Sequence, residues 1–146
     1  MKTRLTEREK KLVRKARTMK ELGKIAMRVI KRMPEPVAMV CGPISTGGRG
    51  SVAANMKELK KAINALSKKS VKVFDQTAFE PQMKKIAKGR PEYLTNETKL
   101  LEEFYLPLFE KEFVAMVCFM PDWQSSFGAT WEHKQAKRLK LAIKYL

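Results

Sequence analysis

Val114-Ala-Met-Val-Cys-Phe119, followed by Pro121-Asp-Trp-Gln-Ser-Ser-Phe-Gly-Ala-Thr-Trp-Glu-His-Lys-Gln-Ala136, decides how this chain folds. The first run is apolar without alternation, as a strand buried on both faces requires. From Glu132 to Leu141 the pattern turns helical, so the spacing predicts a strand, a polar turn hinged on small residues, then a helix. Open α/β sheets place ligands at such a junction, beyond the carboxyl ends of the strands. Ser126 and Gly128 fall just before the expected helix, where backbone N–H groups and the positive end of the dipole meet whatever enters. Glu132 falls in the first turn or two and can face the same space.

The opposite wall must come from upstream. Val37-Ala-Met-Val-Cys41 reads as the first strand and enters Gly42-Pro-Ile-Ser-Thr-Gly-Gly-Arg-Gly50. Ser51 then caps a helix with apolar positions Val52, Met56, Leu59, Ile63 and Leu66. A strand entering a Gly-rich turn that opens a helix is an anion cradle in principle. The spacing is neither a P-loop nor the dinucleotide fingerprint, and the same glycines also serve a tight turn. Val71-Lys-Val-Phe-Asp75 is a second strand, with Asp75 at its carboxyl edge. Residues 80–95, with Pro81, Gly89 and Pro91, read as a loop holding a turn of helix. Leu100, Leu101, Phe104, Tyr105, Leu108 and Phe109 form the apolar face of the next helix, kinked or restarted at Pro107. Residues 113–120 are the third strand and Leu141–Leu146 the fourth. The alternation implies an α/β, flavodoxin- or Rossmann-like three-layer sandwich: four parallel strands in the order 2-1-3-4, with right-handed crossovers.

Residues 1–35 read as a basic, amphipathic helical extension of a domain spanning 36–146. Thr6-x-x-Glu9 and Thr18-x-x-Glu21 fit the capping box. Leu12, Ala16, Met19, Leu22, Ala26, Val29, Ile30 and Met33 recur at helical spacing, and Pro34 and Pro36 end the unit. The stripe needs a partner, either the domain's own sheet or another subunit; the second option predicts a homo-oligomer. Net charge is +16, and residues 1–33 hold 13 Lys/Arg against Glu7, Glu9 and Glu21, or +10 of it. Polyanion binding is one reading of this segment, but a solvated charged helix face is the commoner one, so a nucleic-acid partner is not favoured.

The remaining composition excludes several classes. No apolar run is long enough to cross a bilayer, and the charged N-terminus lacks an apolar leader core, so a cytoplasmic chain with no membrane partner is expected. Cys41 and Cys118 each fall in a buried strand and read as core thiols. No metal-ligand spacing occurs, and no cofactor is implied. His133 is the sole histidine and, adjacent to Glu132, points elsewhere on the helix, so no catalytic triad can be built.

With both walls in view, the chain resembles the nucleoside 2-deoxyribosyltransferase-like family, which includes the 2′-deoxynucleoside 5′-phosphate N-hydrolases and uncharacterised, often phage-borne, relatives. Cys41-Gly-Pro-Ile-Ser-Thr-Gly-Gly-Arg49 carries part of the likeness, and Pro121-Asp-Trp-Gln-Ser-Ser-Phe-Gly-Ala-Thr-Trp-Glu132 the rest. The resemblance covers residues 37–146. It implies an N-glycosidase or deoxyribosyltransferase on a nucleotide or nucleoside, with Glu132 as nucleophile at C1′ of the sugar. Ser126, Gly128 and the stretch holding Gly42, Pro43, Ile44, Ser45, Gly47, Gly48 and Arg49 would bind a 5′-phosphate, which makes the 5′-monophosphate the preferred substrate. Trp123 would stack on the base, although it reads equally as core; Asp75 stays a candidate, although it reads equally as a turn cap. Family members commonly carry a Tyr in the first strand, where this chain has Ala38-Met39-Val40. The acid that assists the leaving base maps near Tyr105, which makes Glu103 or Glu102 its substitute. Asp122 stands where the usual Gly precedes Trp123, a second acidic candidate or a turn residue after Pro121. A non-catalytic nucleotide sensor is the alternative reading.

Overall fold

The computed structural model describes residues 4–95 and 98–146, so the first three residues of the N-terminal extension lie outside it. In chain order come α1 (Glu7–Lys15), α2 (Met19–Lys31), β1 (Val37–Cys41), α3 (Val52–Ser67), β2 (Lys72–Val73), α4 (Glu80–Lys88) and α5 (Glu92–Thr95). A π-helical turn, Leu101–Tyr105, runs into α6 (Leu106–Glu110), followed by β3 (Met116–Phe119), α7 (Phe127–Arg138) and β4 (Ala142–Tyr145). The strands form one parallel sheet in the order β2-β1-β3-β4, as the sequence predicts.

Residues of β1 alternate between two cores, which is the period of a strand covered on both faces. Ala38 and Val40 pack with Leu59, Ile63 and Leu66 of α3. Val37, Met39 and Cys41 face a larger cluster shared with α2, α4, the π turn and α6. An aromatic string, Phe74, Phe79, Phe104 and Tyr105, crosses that cluster with successive ring centroids 5.5, 5.6 and 4.7 Å apart.

The apolar stripe of the N-terminal helices finds its partner in its own chain. Met19, Leu22, Ala26 and Val29 are wholly buried in the same cluster as Phe104 and Val117. A second subunit is therefore not what covers this stripe, which corrects that option. Thr6 and Glu9 close a full capping box on α1, with bonds of 3.1 and 2.9 Å. Thr18 caps α2 by accepting from the Glu21 amide at 3.0 Å, while the Glu21 carboxylate turns to the Arg17 amide instead. Arg32 grips Glu9 through Nε and Nη2, at 3.0 and 2.6 Å, and ties α1 to the end of α2.

Several boundaries differ from the sequence reading, and β3 starts at Met116, three residues later than expected. β2 is only two residues long, since Phe74 and Asp75 already turn toward the 3₁₀ turn Gln76–Ala78. Helix α4 occupies a stretch expected to be loop, with Pro81 near its start and Gly89 just past its end. Helix α7 begins at Phe127, five residues before Glu132, because Ser126 caps it; Gly128 is therefore inside its first turn rather than ahead of it. At Pro107 the missing N–H removes one α-helical bond, and the preceding turn widens so that the Leu106 amide reaches the Leu101 carbonyl.

Candidate functional site

β1 and β3 are neighbours whose onward connections leave toward opposite edges of the sheet, and a cavity of about 430 Å³ opens beyond their carboxyl ends. The loop after β1 and the loop after β3 form one end of it and lock together. Ser125 Oγ accepts from the Gly48 amide at 2.9 Å and donates to the Asp122 carbonyl at 2.7 Å. Thr46 Oγ1 accepts from the Phe127 amide at 2.9 Å, and Ser126 Oγ from the Ala129 amide at 3.1 Å. Asn55, buried on α3, holds the Gly-rich loop from within: it donates to the Ile44 and Gly47 carbonyls and accepts from the Arg49 amide. Gly47 and Gly48 have φ of 68° and 61°, and a Cβ on Gly47 would run into the Ser125 carbonyl. These contacts use up the amides of Gly48, Arg49, Phe127 and Ala129. The amides of Ser45, Thr46 and Gly128, all on cavity-lining residues, have no acceptor among the described residues. Two of them lie on an exposed loop and one on the first turn of α7, a polarity that suits an anion.

The rest of the cavity carries acid groups on an apolar wall. Glu132, on the second turn of α7, is 7% exposed. Burial pushes its carboxyl up to about 8; the Cys41 thiol beside it partly offsets this, and the negative charge of Glu80 adds to it. Glu80, the first residue of α4, is also raised by burial, and the Tyr105 hydroxyl donates to its Oε1 at 2.9 Å. Burial, and then the charges of Glu80 and Glu132, hold the Tyr105 phenol well above its usual value, so it stays a donor. Two carboxyls that repel and share a low-dielectric cavity cannot both ionise readily, which sets one up to hold a proton while the other gives it up. Gln76 completes the floor. Its Nε2 donates to the Val40 carbonyl, and its Oε1, on a side chain 2% exposed, has no partner among the described residues. A buried orphan acceptor on a cavity wall calls for an occupant that donates a hydrogen bond.

Of the residues singled out from sequence, Glu132, Gly42, Ile44, Ser45, Ser126 and Gly128 line the cavity. Pro43, Gly47 and Gly48 shape the loop without lining it. Arg49 does not reach the site: its guanidinium is 66% exposed and lies 3.9 Å from Glu58 of α3. Asp75 caps the following 3₁₀ turn through the Thr77 amide at 3.0 Å. Asp122 is exposed and serves the turn through its carbonyl. Trp123 stacks on His133 with ring centroids 4.1 Å apart, and the His133 Nε2 lies 2.7 Å from the Tyr145 hydroxyl. Glu103 turns away to Lys99, at 3.4 Å, and to the Tyr93 hydroxyl, at 3.2 Å. The sequence reading missed Gln76, Glu80, Thr46 and Tyr93 as lining residues. Gln76 follows the flagged Asp75 by one position, at a strand's carboxyl edge, and that was the available signal.

No family model matches this chain, and comparisons with curated proteins and with solved structures each find no match. Among the described residues no cluster of His, Cys, Asp and Glu could hold a metal ion, and no helix is long and apolar enough to cross a membrane.

Proposed function

We propose that the cavity is the active site of an N-glycosidase or deoxyribosyltransferase acting on a nucleotide, with the 5′-monophosphate preferred over the free nucleoside. The observation that carries this reading is the pairing of a buried carboxyl, Glu132, and a half-buried one, Glu80, with amide donors at the other end of the same cavity. The amides of Ser45, Thr46 and Gly128 would take the phosphate, which Arg49 does not reach. The Glu132 carboxylate, once ionised, attacks C1′ as the glycosidic C–N bond breaks through an oxocarbenium-like transition state. Glu80, protonated and oriented by Tyr105, gives its proton to the departing base. In the second half, Glu80 takes a proton from water, the resulting hydroxide bonds to C1′, and Glu132 leaves as carboxylate; a second base in place of water gives transfer instead of hydrolysis.

Base release from a panel of ribo- and deoxynucleoside 5′-monophosphates and nucleosides, with wild type and Glu132→Ala, tests the reading. Release that is lost in the variant while binding persists is the expected result. Cleavage of the unphosphorylated set alone would overturn the phosphate preference. Trapping with a 2-deoxy-2-fluoroarabinosyl nucleotide and locating the adduct by mass spectrometry assigns the nucleophile. An adduct on Glu80 would exchange the two carboxyl roles.

One observation favours a second reading: a carboxyl titrating near 8 is mostly uncharged at neutral pH, which suits a nucleotide sensor that never attacks. Binding without release in either protein would establish that alternative.

A further inference from the structure

The fold brings together two segments that hold 17 of the chain's 31 Lys and Arg residues. Residues 1–33 carry +10. Residues 80–90 add Lys84, Lys85, Lys88 and Arg90 against Glu80, or +3, so these two segments hold 13 of the net +16. They are far apart in sequence yet in contact in the structure. Gln82 Nε2 donates to the Ala16 carbonyl at 2.8 Å across 66 positions, and Arg90 Nη2 donates to the Arg17 carbonyl at 3.0 Å across 73. Helix α4 therefore lies along the junction of α1 and α2. The few acids of this region are already engaged. Glu7 meets Lys10 at 3.1 Å, Glu9 is gripped by Arg32, Glu21 bonds the Arg17 amide, and Glu80 points into the cavity. Among the described residues, Arg8, Lys11, Arg14, Lys84, Lys85 and Lys88 are exposed and meet no carboxylate.

We infer that this face, formed by α1, α2 and α4, binds the phosphate backbone of a nucleic-acid duplex. Like charges held together by a folded core repel one another, and a polyanion relieves that repulsion while releasing its own counterions. The apolar sides of α1 and α2 are spent on the core, and none of the exposed large apolar side chains lies on α1, α2 or α4. A lipid surface would thus find no wedge to insert. Nor does the face present an exposed aromatic for stacking on unpaired bases, which points to a duplex read by its backbone and not by its sequence. The inference is independent of the proposed chemistry in the cavity.

Fluorescence anisotropy with a labelled 20-base-pair DNA duplex, titrated across a salt series with the full chain, tests it; a duplex RNA arm distinguishes the two sources of the same phosphodiester chemistry. Wild type is expected to bind with a steep negative dependence of log K on log salt. Lys84→Gln/Lys85→Gln/Lys88→Gln should reduce that slope by about 2–3 and weaken binding at least tenfold at low salt, since each phosphate contact contributes about 0.9 to the slope. Three exposed lysines on and just past the opposite helix, α3, serve as control: Lys57→Gln/Lys60→Gln/Lys68→Gln should leave the slope nearly unchanged. Equal losses from the two triple variants would reduce the effect to net charge and overturn the inference. So would absence of binding, or tighter binding to vesicles of phosphatidylserine and phosphatidylcholine than to either duplex.

Discussion

Glu132 is costly to the folded chain, and the cost has a sign. Its carboxyl titrates at about 8 in the native protein against an ordinary 4.5. Between those values the native state keeps a proton that the unfolded chain has released. The contribution is therefore most favourable below pH 4.5 and is lost as pH rises to about 8. At 1.36 kcal/mol per pH unit the difference amounts to about 5 kcal/mol. Glu132→Gln has no proton to lose, so its melting temperature relative to wild type should climb from pH 4.5 to 8 and level off above. A difference independent of pH would mean that the carboxyl titrates normally. Turnover depends on both protons: the first half-reaction needs Glu132 ionised and Glu80 protonated, so kcat/KM for a nucleotide should pass through a maximum and fall on both sides of it, with one limb near 8. Tyr105→Phe removes the donor that orients Glu80, a loss of about 1 kcal/mol in stability. We expect roughly a tenfold fall in kcat at unchanged KM, less than the roughly 10²–10⁴-fold that a whole general acid contributes, because Glu80 itself remains. An unchanged kcat would separate this tyrosine from the chemistry.

At the scale of elements, the interlocked loops after β1 and β3 decide whether the anion end of the cavity exists. Gly47→Ala places a Cβ against the Ser125 carbonyl at a left-handed φ of 68°, so it should cost about 2–3 kcal/mol and abolish nucleotide binding by calorimetry. Gly50→Ala shares the left-handed φ, at 86°, but meets nothing nearby; about 1 kcal/mol and retained binding are expected there. Loss of binding in both variants would mean that loop strain, not the clash between loops, is responsible. These loops were legible in the sequence because both follow uninterrupted apolar runs, Val37–Cys41 and Val114–Phe119, which mark strands covered on both faces. Helix α7 was placed late because Phe127-Gly-Ala-Thr contains few strong helix formers, and Gly128 reads as a hinge until Ser126 is seen to cap the turn. Helix α4 was hidden by its own punctuation. Pro81 and Gly89 look like loop residues, yet a proline just inside a start and a glycine just past an end are what a helix favours. Missing α4 meant missing Glu80, the second carboxyl of the cavity. Gln76 left still less trace, since a neutral amide has no spacing signature and its orphan oxygen appears only once the core closes around it.

The whole molecule depends on its N-terminal helices in unequal measure. Helix α2 contributes Met19, Leu22, Val29 and Ile30 to the core, all at most 3% exposed, whereas α1 contributes Val13 and the residue that follows the helix, Ala16. Burial of a large aliphatic side chain is worth about 1.5–3 kcal/mol, so the four α2 residues represent roughly 6–12 kcal/mol. That is comparable to the entire stability of a small domain, about 5–15 kcal/mol. Removing residues 1–17 should therefore lower the melting temperature but leave a cooperative transition and an ordered near-ultraviolet circular dichroism spectrum. Removing residues 1–34 strips α2 from the cluster it shares with Phe104 and Val117 and should leave a chain that binds a hydrophobic dye and melts without cooperativity. The point substitution Ala26→Asp probes the same contact without shortening the chain. It buries an unpaired carboxylate at a wholly enclosed position and should cost at least about 3 kcal/mol in denaturant unfolding. A 35–146 fragment with an intact cooperative transition would show that the basic segment is an appendage after all, and that the sheet can cover this face without it.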